Sequence, residues 1–267
     1  KYVDDGGGRL ASLITFAAFL SFFPLILVVV TTTSFIARRF PSVASSLRAS
    51  ALAQFPIVGP ELTRGDRALP GSGLGLGVGL VGLVWGGLRV TGALQFAFHE
   101  VWDVPMKLRS TFVRRITLGL VVLGMLGLGV LASASLGALG SIVKGSVAAG
   151  ALGIGGALVV SFGLYLAVFW LLSPRSVDFR DLAYGALLAA AGWQALQQLG
   201  IRLIANQLRR SSELYGAVGA ALGLIWFLNV STQLLLIGLE ISSVRAEHLW
   251  PRSLMGPRLE TADVSVL

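Results

Sequence analysis

A chain of 267 residues that is 55% hydrophobic and 13% charged, with 34 glycines besides, carries more apolar surface than a soluble fold can hide. A soluble domain of this size still exposes roughly a quarter of its unfolded area, and an ordinary one is about 25% charged. With no cysteine, disulfide frameworks and thiolate metal sites are excluded. The net charge of +8 would suggest nucleic acid in a soluble chain; in a membrane chain it places Arg and Lys in loops and against anionic headgroups. The composition predicts an all-α, polytopic integral membrane protein, with no nucleic-acid partner.

Six windows are long enough to cross about 30 Å of hydrocarbon at 1.5 Å per residue. They are residues 10–37, 72–98, 116–140, 150–172, 182–205 and 214–240, within a single membrane domain covering 1–267. Their runs lack the alternation of a barrel strand. The first is too long for a signal peptide and ends in Arg38-Arg39 rather than at a small-residue cleavage site. Because the chain opens on Lys1 and not on Met, an N-terminal piece is expected to be missing.

The longest connection, residues 38–71, carries Pro41, Pro56, Pro60 and Pro70. Its stretch 43–55 mixes apolar and small residues, which predicts an interfacial helix between the first and second spans. Six spans put both ends on one side, with 241–267 as a cytoplasmic tail. Eleven of the 21 basic residues then fall on the cytoplasmic side and nine opposite, with Arg89 inside a span; this slight excess agrees with the positive-inside rule.

The run Ser21-Phe22-Phe23-Pro24-Leu25-Ile26-Leu27 resembles the first-helix signature of the YihY/virulence factor BrkB family of bacterial inner-membrane proteins. Further matches follow in order: Ala93-Leu94-Gln95-Phe96 and Val101-Trp102, the turn from Pro174 to Gly185, Leu214-Tyr215-Gly216-Ala217-Val218-Gly219, and Gly238-Leu239-Glu240. The resemblance covers nearly the whole chain. It implies six transmembrane helices with cytoplasmic termini and a role linked to lipid or lipopolysaccharide export and serum resistance. It transfers no catalytic residue.

Two enzyme-like patterns have better membrane explanations. Gly77, Gly79 and Gly82 fit a dinucleotide fingerprint, but that motif needs a strand before it, and here it lies inside an apolar span. Gly71, Gly75 and Gly79, with Gly82 and Gly86, instead let helices approach closely in lipid. His99-Glu100-Val101-Trp102-Asp103 half-resembles a zinc-protease helix. A catalytic zinc needs three protein ligands, and the one other histidine is His248. The pattern reads as a Trp-anchored helix end. No catalytic residue, metal or cofactor is expected, and the chain is not expected to be an enzyme.

Polar groups inside spans are costly and mark pathways or partners. Gln194, Gln198, Arg202 and Asn206 recur every four residues on one face of the fifth helix; Asn229, Gln233 and Glu240 share a face of the sixth. Arg89 and Gln95 lie in the second. On one reading the amides clamp helices together while the arginines snorkel. On the other, Arg89, Gln95, Gln194, Gln198, Arg202, Asn229, Gln233 and Glu240 line a substrate pathway, with Arg89 and Arg202 facing a phosphate or carboxylate and Pro24 as a hinge. The expected function is transport of an amphipathic or lipid-linked anion; the alternative is a non-transporting scaffold for envelope integrity that recruits partners. Membrane lipids with anionic headgroups are the expected partners, and glycine-rich faces leave homo-oligomerisation open.

Overall fold

A computed structural model describes residues 1–37, 73–105, 111–142, 147–174, 177–207 and 213–248. The interfacial helix expected over 43–55 and the tail beyond 248 lie outside the described residues. Among the described residues six helices follow in order: α1 Gly7–Ala37, α2 Gly73–Val101, α3 Phe112–Ile142, α4 Val147–Leu172, α5 Phe179–Gln207 and α6 Glu213–Ala246. Among the described residues there is no strand. α6 continues past Glu240 to Ala246.

Continuous apolar runs leave the backbone only its own helix to bond to in lipid. The hydroxyls on these helices follow the same logic. Thr15, Ser21, Thr31, Ser231 and Thr232 each donate to the carbonyl four residues back, at 2.6–2.8 Å, so they sit on a membrane helix without an open donor. The end of α2 closes by a Schellman pattern: Val104 N–H donates to His99 O at 2.8 Å, and Asp103 N–H to Glu100 O at 3.1 Å. Asp103 takes the required left-handed turn, φ 45°. It therefore stands outside the helix that carries His99, and the two cannot present an i, i+4 ligand pair.

Among the described residues, five helices are long and apolar enough to cross a membrane. α5 is the remaining one. Its 29 residues suffice in length, but Arg180, Asp181, Gln194, Gln197, Gln198 and Arg202 dilute its apolar content.

α1 packs most extensively on α2, and α5 on α6. The first pair runs antiparallel on glycines of α2. A Cβ on Gly79 would lie 3.0 Å from Val28, one on Gly82 3.0 Å from Pro24, and one on Gly86 2.7 Å from Ser21. α1 runs unbroken through Pro24, whose ring fills the space over Gly82. In the second pair Gly185 faces the Gly238 carbonyl and Ser242. The main core gathers the start of α1 (Leu10, Ala11, Ile14), the ends of α2 (Phe98, Val101) and α4 (Phe169, Leu172), the start of α5 (Leu182) and the end of α6 (Leu236, Leu239). Phe98 and Phe169 meet edge to face at 5.6 Å. The bundle is thus tightest at the end where residues 1–6 and 247–248 also lie.

Candidate functional site

Two of the intramembrane amides bond to a neighbouring helix, and a third bonds within its own. Gln194 Nε2 of α5 donates to Ser161 Oγ of α4 at 3.0 Å. Asn229 Nδ2 of α6 donates to Thr15 Oγ1 of α1 at 3.4 Å, and Gln233 Nε2 donates to Asn229 Oδ1 at 2.7 Å. These contacts tie α4 to α5 and α1 to α6. Gln194 and Asn229 face different neighbours, and Gln198 is exposed. The side chains of Arg202 and Asn206 lie outside what is described. Each amide pair is worth about 0.6–2 kcal/mol in lipid.

Arg89 and Gln95 occupy a different place. A groove of about 610 Å³ runs between α1, α2 and the start of α3, within the range of small-molecule sites. Leu13, Phe16 and Leu20 of α1 and Phe96 of α2 form apolar walls. Phe16 is 64% exposed and Phe96 40%, so the groove opens on the outer surface of the bundle. Arg89, Gln95, His99 and Arg115 supply its polar groups; none of the α5 or α6 amides lines it.

The geometry of the two arginines follows from local sequence. Gln95, 3% exposed, donates from Nε2 to the Arg115 carbonyl at 3.0 Å and pins α3 to α2. Its Oε1 is buried without a donor. The Arg115 side chain then crosses onto α2 at Gly92, where a Cβ would stand 2.6 Å from the guanidinium. Arg89 lies one turn away on the same face of α2, its guanidinium 4.2 Å over the Trp85 ring. It sits twelve residues before Val101, about 18 Å along a helix of about 43 Å. Among the described residues no carboxylate pairs with either arginine.

Glu240 belongs to a third group, at the tight end of the bundle. It is 4% exposed and both carboxylate oxygens lack a hydrogen-bond donor. Lys1 Nζ lies 3.1 Å from Asp5 and 3.6 Å from Asp103. Burial alone would lower the Lys1 pKa, but Asp5, Glu240 and Asp103 outweigh it and hold it above the ordinary lysine value. Burial also pushes Glu247 up; Asp103 and Asp5 reinforce this and Lys1 opposes it. Nearby, Arg245 stacks 3.9 Å over Tyr184 and approaches Asp181 at 3.6 Å, joining the end of α6 to the start of α5.

Arg115 did not stand out in the sequence, because Arg114-Arg115 at a helix start reads as headgroup charge. Gly92 was the available signal: a glycine one turn from an intramembrane arginine leaves room for a second side chain.

Long apolar helices packed on glycines, with polar groups paired between helices, define a multi-pass helical membrane protein. A model of the family described as virulence factor BrkB matches residues 1–259. The chain belongs to that family, in agreement with the resemblance carried by its helix signatures. No curated protein and no solved structure matches it.

Proposed function

We propose that the chain is a non-enzymatic, transport-type protein of the bacterial inner membrane that accepts an amphipathic or lipid-linked anion in the α1–α2–α3 groove. Six spans, with α5 as the sixth, put both termini in the cytoplasm. The observation that carries this reading is the pair Arg89 and Arg115 in an apolar, outward-opening groove with no carboxylate partner among the described residues. A charged side chain at the bilayer centre costs about 2.5–3.5 kcal/mol on insertion scales, and an anionic headgroup offsets that cost while its tails lie along Leu13, Phe16 and Phe96. Small-residue contacts along α1 and α2, with Pro24 at the crossing, supply a surface on which α1 can slide.

A second reading, a static scaffold, draws on the amide pairs, which fasten α1 to α6 and α4 to α5. Proteoliposomes holding a fluorescent anionic lipid in one leaflet separate the two. Transport predicts protein-dependent movement between leaflets that falls about tenfold in Arg89→Gln. No movement above empty vesicles supports the scaffold; movement unaffected by Arg89→Gln and Arg115→Gln removes the groove from the pathway.

A further inference from the structure

We infer that Asp5 and Glu240 hold one proton between them, as a carboxyl pair that fastens the segment before α1 to α6 and serves as a proton-binding site. The inference goes beyond the groove reading and stands without it.

Glu240 is the dry member of its cluster. It is 4% exposed, and neither carboxylate oxygen has a hydrogen-bond donor. Ser243, one turn on along the same face of α6, is fully buried with its own Oγ unpartnered, so it does not serve Glu240. The Asp5 side chain, 11% exposed, faces Glu240 within hydrogen-bonding reach. Lys1 Nζ lies 3.1 Å from Asp5 and 3.6 Å from Asp103, and its charge also acts on Glu240 and Glu247. One ammonium is thus set among four carboxylates. Asp103 and Glu247 are exposed and keep their water; Asp5 and Glu240 do not. Tyr2 also stands beside Glu240, as does the Lys1 α-amino group, which pairs with Asp4 at 3.0 Å. Arg245, further along α6, is engaged with Asp181 and Tyr184 of α5.

An ionised carboxylate can only accept hydrogen bonds, so two of them facing each other out of water repel, and one takes up a proton. The protonated oxygen then donates to its neighbour in a short, charge-assisted O–H···O⁻ bond, and the remaining negative charge stays with Lys1. That bond ties the chain just before α1 to α6, two helices that Asn229 and Thr15 also join deeper in the bundle. Loss of the proton leaves two negative charges facing each other across the junction and drives the start of α1 from α6. The proton thereby sets the position of a helix that also walls the groove.

The test reads the full chain, in an ester-free detergent at about pH 7, by infrared spectroscopy for the carboxylic-acid C=O stretch. An ordinary glutamate is protonated there in about 1 molecule in 500. The wild-type protein is expected to show an acid band that is lost in Glu240→Gln and in Asp5→Asn, where an amide N–H takes the place of the shared proton and keeps the junction closed. Because the chain has no cysteine, spin labels on Ser12→Cys, exposed on α1, and Ile237→Cys, 36% exposed on α6, report the junction directly. Their distance is expected to lengthen as pH is raised from about 6 to about 9, the range in which buried carboxyls ionise, and to stay unchanged in Glu240→Gln.

Absence of the acid band from the wild-type protein overturns the shared proton. A band that survives either variant, or that is lost only in Glu247→Gln, places the proton elsewhere and overturns the assignment to Asp5 and Glu240. A label distance that does not respond to pH overturns the fastening of α1 to α6 by the proton. Each of these failures leaves the anion groove untouched, so the two readings fall separately.

Discussion

Replacing Gly238 by alanine places a methyl group where α5 and α6 cross backbone to backbone. Its Cβ would lie 2.6 Å from the Gly185 carbonyl oxygen and 3.1 Å from Ala189 Cβ, against about 3.4 Å for ordinary contact, so the helices must part by about 0.8 Å. A radial gap of that size forfeits a quarter to a half of each contact's well of about 0.1–0.2 kcal/mol. Over some forty atom pairs, the number one buried leucine makes, the loss is about 2 kcal/mol, inside the usual range for overpacking. Gly87→Ala is the control. Its Cβ would also fall 2.6 Å from a neighbour, but that neighbour is the tip of Leu123, which can rotate aside. Both variants gain about 1 kcal/mol of helix propensity, so Gly87→Ala should be close to neutral. Thermal unfolding in mild detergent should show Tm lower by a few degrees for Gly238→Ala and unchanged within about 2 °C for Gly87→Ala. Equal losses in the two variants would refute the argument that backbone contact sets this crossing.

Gln194→Leu and Asn229→Leu should each cost about 0.6–2 kcal/mol and leave anionic-lipid retention unchanged, because neither residue lines the groove; a loss of lipid with intact stability would return the α5 and α6 amides to the pathway. The end cluster should weaken as pH rises. Glu247 has a raised pKa, so the fold favours its protonated form, and its contribution is fully present below the ordinary value of 4.5 and lost as pH climbs through the raised one. Lys1, raised from 10.5, keeps its contribution at every pH below that value and loses it only above. Glu247→Gln should flatten the pH dependence of Tm on the acid side of neutrality; an unaltered slope would place its origin elsewhere.

Much of the fold was legible because lipid leaves few choices. Apolar runs of this length must be helices, and the glycine spacing of α2 marked its face toward α1 at Gly79, Gly82 and Gly86. Spacing tells which residues share a face, not which helix that face meets. Gly185 against Gly238 puts Gln194, nine residues on, level with Asn229, nine residues back, yet the two amides turn to α4 and α1 respectively. The position of α5 was harder to read by composition: the amides that tie it to a neighbour also lower its hydropathy. Arg115 was hidden because its backbone sits at a helix start while its guanidinium works a helix away. The cluster around Glu240 depends on Asp5 and Lys1, more than 230 residues distant along the chain.

Photo-crosslinking from the groove wall addresses the anion-accepting groove most directly. A benzophenone-bearing residue in place of Phe16, a groove residue, is compared with one in place of Leu222, which is 63% exposed on α6. Both proteins are illuminated in membranes of mixed lipid, and the captured lipids are identified by mass. The anion groove predicts that position 16 captures anionic lipid well above its membrane fraction and loses that enrichment in Arg89→Gln, while position 222 samples the bulk. Capture at position 16 that mirrors the bulk composition would contradict it.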